Sequence, residues 1–368
     1  TSNADFPLEA AGKWDWVWKA LVFAIFLPLT LRTKLRIEAL ILYMVLSASS
    51  IIITGGIKTV LSGGGYGALN LMIDSNTGLY EGSTISAVAI AIIPVILWLA
   101  RYGTIFPPDW RVRSFATALI LACLLIPIGT EARTGLICIA ALGGLMLRAT
   151  KKRALYLSLI GVAGLMALPL LPSSFSNRMN TIEGYQSDSS ASTRLAVWAW
   201  TWNYVQHHPL GGGFEAYRQN RIAINLREKQ DVGGADMISA SVQTDKGRAY
   251  HSAYFEMLGE QGFPGLFLWL LLHATGLIAM ERLRRRYRGV GGADEWIEPL
   301  ATALQHGQII YLVGALFVGI AFQPFIFMLI GVQIALTEHV RRSELAKTKR
   351  PFFTPKKRAP TPVQVPST

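Results

Sequence analysis

The chain has 368 residues, 51% of them apolar and 16% charged, with a mean hydropathy of +0.36 and a formal net charge of +12. That excludes a disordered chain and argues against a water-soluble globule: several apolar stretches of about eighteen residues cannot share one aqueous core, whereas a bilayer accepts each as a spanning helix. Cys123 and Cys138 both lie in apolar runs, so neither a disulfide framework nor a thiolate metal site is indicated.

In chain order, apolar runs of spanning length fall near 17–31, 38–54, 84–101, 114–130, 134–148, 154–171, 262–280, 299–319 and 322–339, which predicts an all-α polytopic membrane protein of about nine spans. Basic residues orient them. Three cluster at 32–36, three at 101–113, four at 148–153, five at 282–288 and eight in the tail 341–358, so 23 of the 35 Lys and Arg sit in alternating connections. Those connections are expected on the cytoplasmic side. The opposite side, the periplasm in a bacterium, then holds the N-terminus, the segment 55–83 and a polar stretch of about 90 residues. That stretch has eight basic and nine acidic residues and is expected to carry the chemistry together with short helices. The predicted organisation is N-terminal helices 1–171, a periplasmic catalytic loop 172–261, C-terminal helices 262–340 and a disordered basic cytoplasmic tail 341–368. An odd number of spans, an outside N-terminus and a start at Thr1 together lead to the expectation that N-terminal helices precede this segment. The proline-interrupted basic tail reads as a membrane-proximal end, so no nucleic-acid partner is called for.

Arg133, after Pro127-Ile128-Gly129-Thr130-Glu131-Ala132, opens an apolar run at the outer mouth of a span. It either pairs with Glu131 or snorkels, or its forked guanidinium holds an anionic substrate group such as phosphate. Arg194 follows Ser192-Thr193, expected N-caps, which would put it in a first helical turn where backbone N–H groups also favour an anion; a surface salt bridge is the bland alternative. Trp198, Trp200, Trp202 and Tyr204 read as interfacial anchors or as a sugar-stacking face. His251 is expected beside a helix start, with the helix breaking at Gly262-Phe263-Pro264-Gly265. An imidazole there is biased to its neutral form, suited to a general base, though a packing histidine fits the local sequence as well. The glycine-rich Ser62–Gly67 lacks the ending of a phosphate-binding loop, and His273 and His306 lie within spans, where a neighbouring helix is the default partner. No Asp-x-Asp pair or His-Glu-x-x-His helix occurs, so a metal or other cofactor is not expected.

Taken together and in order, three segments resemble the O-antigen ligase and polymerase family of bacterial membrane glycosyltransferases, most like the O-glycosylation ligases found alongside the exosortase system. They are Glu131-Ala132-Arg133-Thr134-Gly135; Ser192-Thr193-Arg194-Leu195-Ala196-Val197-Trp198 continuing to His208-Pro209-Leu210-Gly211-Gly212-Gly213-Phe214; and His251 to Glu256 through Gly262-Phe263-Pro264-Gly265-Leu266. The resemblance implies transfer of a glycan from an undecaprenyl diphosphate carrier to an acceptor hydroxyl, on lipid or protein, at the periplasmic face of the inner membrane. It implies that Arg133 and Arg194 hold the lipid diphosphate and that His251 is catalytic, with Glu131, Trp198, Tyr254 and Glu256 as candidate supporting residues. A repeat-unit polymerase of the same family and a non-enzymatic glycolipid transporter are the rival expectations.

Overall fold

The computed structural model describes residues 4–62, 79, 81–148, 189–232 and 235–348. Its helices are α1 (Pro7–Thr30), α2 (Lys34–Ser62), α3 (Gly82–Tyr102), α4 (Trp110–Gly129), α5 (Arg133–Arg148) and α6 (Ser189–His207). Two strands follow, β1 (Arg221–Val232) and β2 (Ala235–Lys246), and then α7 (Ala253–Arg286), α8 (Ile297–Ala315) and α9 (Pro324–Thr348).

Among the described residues four helices, α2, α3, α4 and α7, are long and apolar enough to cross a membrane, and α5 is a shorter apolar helix. These contain the runs expected at 38–54, 84–101, 262–280 and 134–148, and all but the last residue of the run at 114–130. The runs near 17–31, 299–319 and 322–339 fall mainly on α1, α8 and α9, which do not meet the same measure of length and hydropathy. The connection expected near residues 320–321 is longer: α8 ends at Ala315 and α9 starts at Pro324, whose missing N–H costs nothing at a first helical position. The run at 154–171, the glycine-rich segment after Ser62, the start of the polar stretch at 172–188 and the tail beyond Thr348 lie outside the described residues.

α3 explains the packing. Its sequence is apolar all round, and a helix of that kind must be enclosed by others. Ile85, Val88, Ile90 and Ile92 are buried to within about a hundredth of their surface, and α2, α4, α5 and α8 surround it. The outer helices instead keep large apolar side chains on the outside, such as Phe267 (64% exposed) and Leu268 (62%) on α7 and Phe26 (59%) on α1. Such a surface suits hydrocarbon and not water.

Two expectations need correction. The polar stretch contains, besides helices, an antiparallel two-stranded hairpin with Val232 opposite Ala235. The signal was present: Ile222, Ile224 and Leu226 alternate with polar or small residues, Ile238, Ala240 and Val242 alternate with Ser239, Ser241 and Gln243, and Gly233-Gly234 stands between the two runs. Second, α6 already includes Ser189, so Arg194 is its sixth residue and does not lie in the first turn. Ser190 and Ala191 are compatible with helix and extend it past the expected cap, which removes the helix-terminus argument for an anion at Arg194.

Candidate active site

The site is assembled around a break in α7. Gly262 has φ 66° and ψ −166°, a backbone region essentially reserved for glycine. The break leaves Gly259 and Glu260 carbonyls without helical partners, and the loop after α6 takes them up: Gly212 N–H donates to Gly259 O (3.0 Å) and Gly213 N–H to Glu260 O (2.9 Å). In return Phe263 N–H donates to Pro209 O at 3.0 Å. A Cβ on Gly262 would stand 2.1 Å from Pro209 O, so the two glycine-rich motifs are complementary halves of one joint. Gly262→Ala is expected to lower stability by roughly 1–3 kcal/mol from backbone strain alone, with the clash adding to it. A thiol-reactive dye would read this as earlier exposure of the buried Cys123 and Cys138 on heating; an unchanged melting point would contradict the joint.

Just before the break, Glu256 and Glu260 lie four residues apart on one face of α7. Lys13 of α1 bridges them, with Nζ 2.7 Å from Glu256 Oε1 and 2.8 Å from Glu260 Oε1. Its charge also sits 5.5 Å and 5.3 Å from the ring centres of Phe214 and Phe322. Lys13 Nζ also donates to Glu260 Oε2 at 2.8 Å, and backbone adds to both carboxylates: Ala321 N–H donates to Glu256 Oε2 (3.0 Å) and Glu215 N–H shares Glu260 Oε1 with Lys13 (3.0 Å). This triad fixes α1, α7 and the irregular segment before α9 against one another.

His251 immediately precedes Ser252, the residue capping α7, and its φ of 47° is left-handed, uncommon for a non-glycine residue. The backbone is held there from both sides. Trp198 Nε1 donates to Tyr250 O (2.8 Å) while its ring stacks on Phe255 at 4.9 Å. Asn220 clamps Arg248, accepting from its N–H (2.9 Å) and donating to its carbonyl (2.7 Å). Trp198 thus packs on α7 and positions the backbone just before His251. Tyr254 is also structural, donating to Leu312 O at 3.2 Å and standing edge-on to Trp269.

These elements enclose a cavity of about 640 Å³ with His251, Glu256 and Glu260 on its wall, within the range of roughly 300–1,000 Å³ common for small-molecule sites. Lys13 and Trp16 come from α1 and Glu81 and Thr84 from the start of α3. The α4–α5 corner meets the same end of α3: Thr130 Oγ1 lies 3.0 Å from Ser86 Oγ, and Gly135 approaches so closely that a Cβ would lie 2.5–2.8 Å from Pro127 and Ser86. Glu131 there has a left-handed φ of 51°, which turns the chain so that Arg133 begins α5. Among the described residues neither Arg133 nor Arg194 lines the cavity, and both are half-buried. Arg194 is nonetheless close enough to act on His251. The protein around the imidazole lowers its pKa below 6.5, the Arg194 and Arg248 charges lower it further, and the Glu81 carboxylate opposes them. Among the described residues no three His, Cys, Asp or Glu side chains converge as metal ligands.

Of the residues anticipated from sequence, His251 and Glu256 thus share one cavity, Arg194 adjoins it electrostatically, and Arg133 and Glu131 lie at the corner packed on its α3 wall. Residues 117–270 match the O-antigen ligase family model. The O-antigen ligase match takes in Glu131, Arg133, Arg194, Trp198, His251 and Glu256, and supports a membrane glycosyltransferase of the O-antigen ligase or polymerase type. Residues 1–104 match a separate family of unknown function, DUF5935. Among curated proteins none matches the chain. The cavity is therefore built from both matched regions, with Lys13, Trp16 and Glu81 outside the O-antigen ligase part. Sequence reasoning missed Lys13 because nothing within 240 residues of it announces its partners; the one available sign was the pair of acidic residues on α7 that required a cation.

Proposed function

We propose that the protein is a metal-independent, inverting glycosyltransferase that joins a glycan from undecaprenyl diphosphate to an acceptor hydroxyl at the periplasmic face of the inner membrane. Within the family its ordered motifs are nearest the O-glycosylation ligases found alongside the exosortase system. The observation that carries the reading is His251: its backbone clamped, its ring on the wall of a cavity of substrate size, and its pKa lowered by burial and by the Arg194 guanidinium. An alcohol is a weak nucleophile, and a neutral imidazole can accept its proton as the oxygen attacks the anomeric carbon. The C–O bond to the diphosphate then breaks, and Arg133 and Arg194 stabilise the charge that builds on the leaving group. In this reading about nine spans carry a periplasmic catalytic segment at 172–261, with residues 1–171 and 262–340 in the bilayer and the basic tail in the cytoplasm.

The purified chain, given an undecaprenyl-diphosphate-linked sugar and an acceptor in the presence of a chelator, is expected to release undecaprenyl diphosphate. A transporter would instead move the lipid across the bilayer with every bond intact, and a polymerase would give a ladder of lengthening products.

A pH profile tests the base. As pH falls through the lowered pKa of His251 the ring gains a proton and can no longer accept one, so the rate should drop on an acid limb lying below 6.5. Because Glu81 favours the protonated ring, Glu81→Gln should move that limb to lower pH. Movement to higher pH would remove His251 from the role.

A further inference from the structure

The cavity wall is acidic. Glu9, Glu81, Glu215, Glu256 and Glu260 face it against Lys13 and Arg218, and both cations are already held: Lys13 by Glu256 and Glu260, Arg218 by Glu215 at 3.0 Å. Such a wall repels a diphosphate but accepts hydrogen bonds from hydroxyl groups, since an ionised carboxylate is a pure acceptor with several lone pairs. A second, independent feature is Tyr250. It lines the cavity, is 3% exposed, and its hydroxyl has no hydrogen-bond partner among the described residues. A buried hydroxyl without a partner costs free energy; this oxygen packs against Gly259 of α7 and is closed to the cavity in this conformation, so a polar ligand would relieve it after a small shift of the ring. Burial and the carboxylates of Glu260 and Glu256 keep that phenol protonated, so it is a donor as well as an acceptor. The wall also offers apolar and aromatic surface in Trp16, 41% exposed, Ile320 and Phe322, beside the uncharged polar side chains of Thr84 and Gln323. Carboxylates for hydroxyls, one buried donor and an indole face for C–H groups together describe a sugar ring.

We propose that this cavity is a saccharide-binding subsite whose α1 wall, Glu9 and Trp16, selects neutral pyranoses and rejects acidic ones, while the lipid diphosphate is bound outside it on the arginine side of His251. The inference rests on the glycosyltransferase reading for the direction of the chemistry, and it assigns to the region matching DUF5935 a role in recognising sugar. The sugar belongs either to the donor glycan or to the acceptor, and both present the same hydroxyl-bearing ring.

The test uses the full chain in lipid nanodiscs and measures binding of undecaprenyl diphosphate, of undecaprenyl-diphosphate-linked N-acetylglucosamine, and of free cellobiose, N,N′-diacetylchitobiose and glucuronic acid. Trp16→Ala and Glu9→Gln are compared with Trp110→Ala, which alters an exposed side chain on α4 that does not line the cavity. The neutral saccharides are expected to bind and glucuronic acid not to. If the subsite holds donor glycan, Trp16→Ala should weaken the glycosylated lipid roughly tenfold, the scale of one lost aromatic contact, and leave the bare lipid diphosphate unchanged. If it holds acceptor, the free saccharide weakens and the two lipids do not. No saccharide binding by the native chain in any arm, or equal binding by Trp16→Ala and Trp110→Ala, overturns the proposal. Loss of bare carrier binding in Arg194→Ala is read separately and bears only on the diphosphate assignment.

Discussion

Replacing His251 by alanine is expected to lower release of undecaprenyl diphosphate by about 10²–10⁴-fold, the usual contribution of a positioned acid–base group. The substitution removes the imidazole from the cavity wall and leaves the Lys13–Glu256–Glu260 triad untouched. Chemistry and backbone strain can be separated here because φ at this position is 47°. His251→Gly relieves the left-handed conformation and should raise stability by about 1 kcal/mol while activity is still lost. His251→Asn tolerates the same backbone and retains a polar side chain without a basic nitrogen, and it should be as inactive as alanine. Activity surviving in the asparagine variant would reduce His251 to a turn-forming residue and require another base. Stability is read independently from the temperature at which Cys123 and Cys138 become reactive.

Lys13→Met is expected to be the most destabilising single change at the site, at about 3–5 kcal/mol, because it removes one partner from a buried charge cluster and leaves carboxylates uncompensated. The side chains involved are 11%, 9% and 0% exposed for Lys13, Glu256 and Glu260. The pairing matters less than its rupture: a triple change of Lys13, Glu256 and Glu260 to methionine or glutamine should recover much of the loss, since matched removal of buried charge is often close to neutral. The comparison of single and triple variants by thiol-dye melting decides it. If Lys13→Met alone melts within a degree or two of the native chain, the triad does not hold α1 to the site and the α1 wall of the cavity loses its anchor.

Asp5 shows the same dependence on the N-terminal region. Its N–H donates to Gly212 O at 2.9 Å, and its carboxylate accepts from Tyr204 Oη and Gln219 Nε2, both at 2.6 Å. The segment ahead of α1 is thereby tied to the loop that also receives the break in α7. Shortening the chain before Pro7 would remove these bonds while keeping the cavity-lining residues of α1, which begin at Glu9.

What was legible in the sequence is what physical chemistry decides within a turn or two. Apolar runs marked α2, α3, α4 and α7, because burial in hydrocarbon or in a helical core depends on a side chain's own hydropathy. Gly262 marked the break in α7, because only glycine occupies that backbone region, and His251 could be set beside a helix start from Ser252 and the apolar pattern that follows. Local reasoning also had the means to find the hairpin in the alternation of Ile222, Ile224 and Leu226, but the expectation of helix prevailed. It erred at Arg194, where helix continued through residues equally able to cap it.

The rest was decided by assembly. Lys13 and Glu256 are 243 residues apart, and no local pattern selects one lysine as the counter-ion of two carboxylates on another helix; only desolvation in the packed bundle makes that pairing necessary. The lowered pKa of His251 likewise depends on surrounding protein and on Arg194, 57 residues away in the chain, and the acidic, aromatic cavity exists only where α1, α3 and α7 converge. Hydropathy and backbone sterics act on neighbours along the chain. Charge compensation and cavity shape act between neighbours in space.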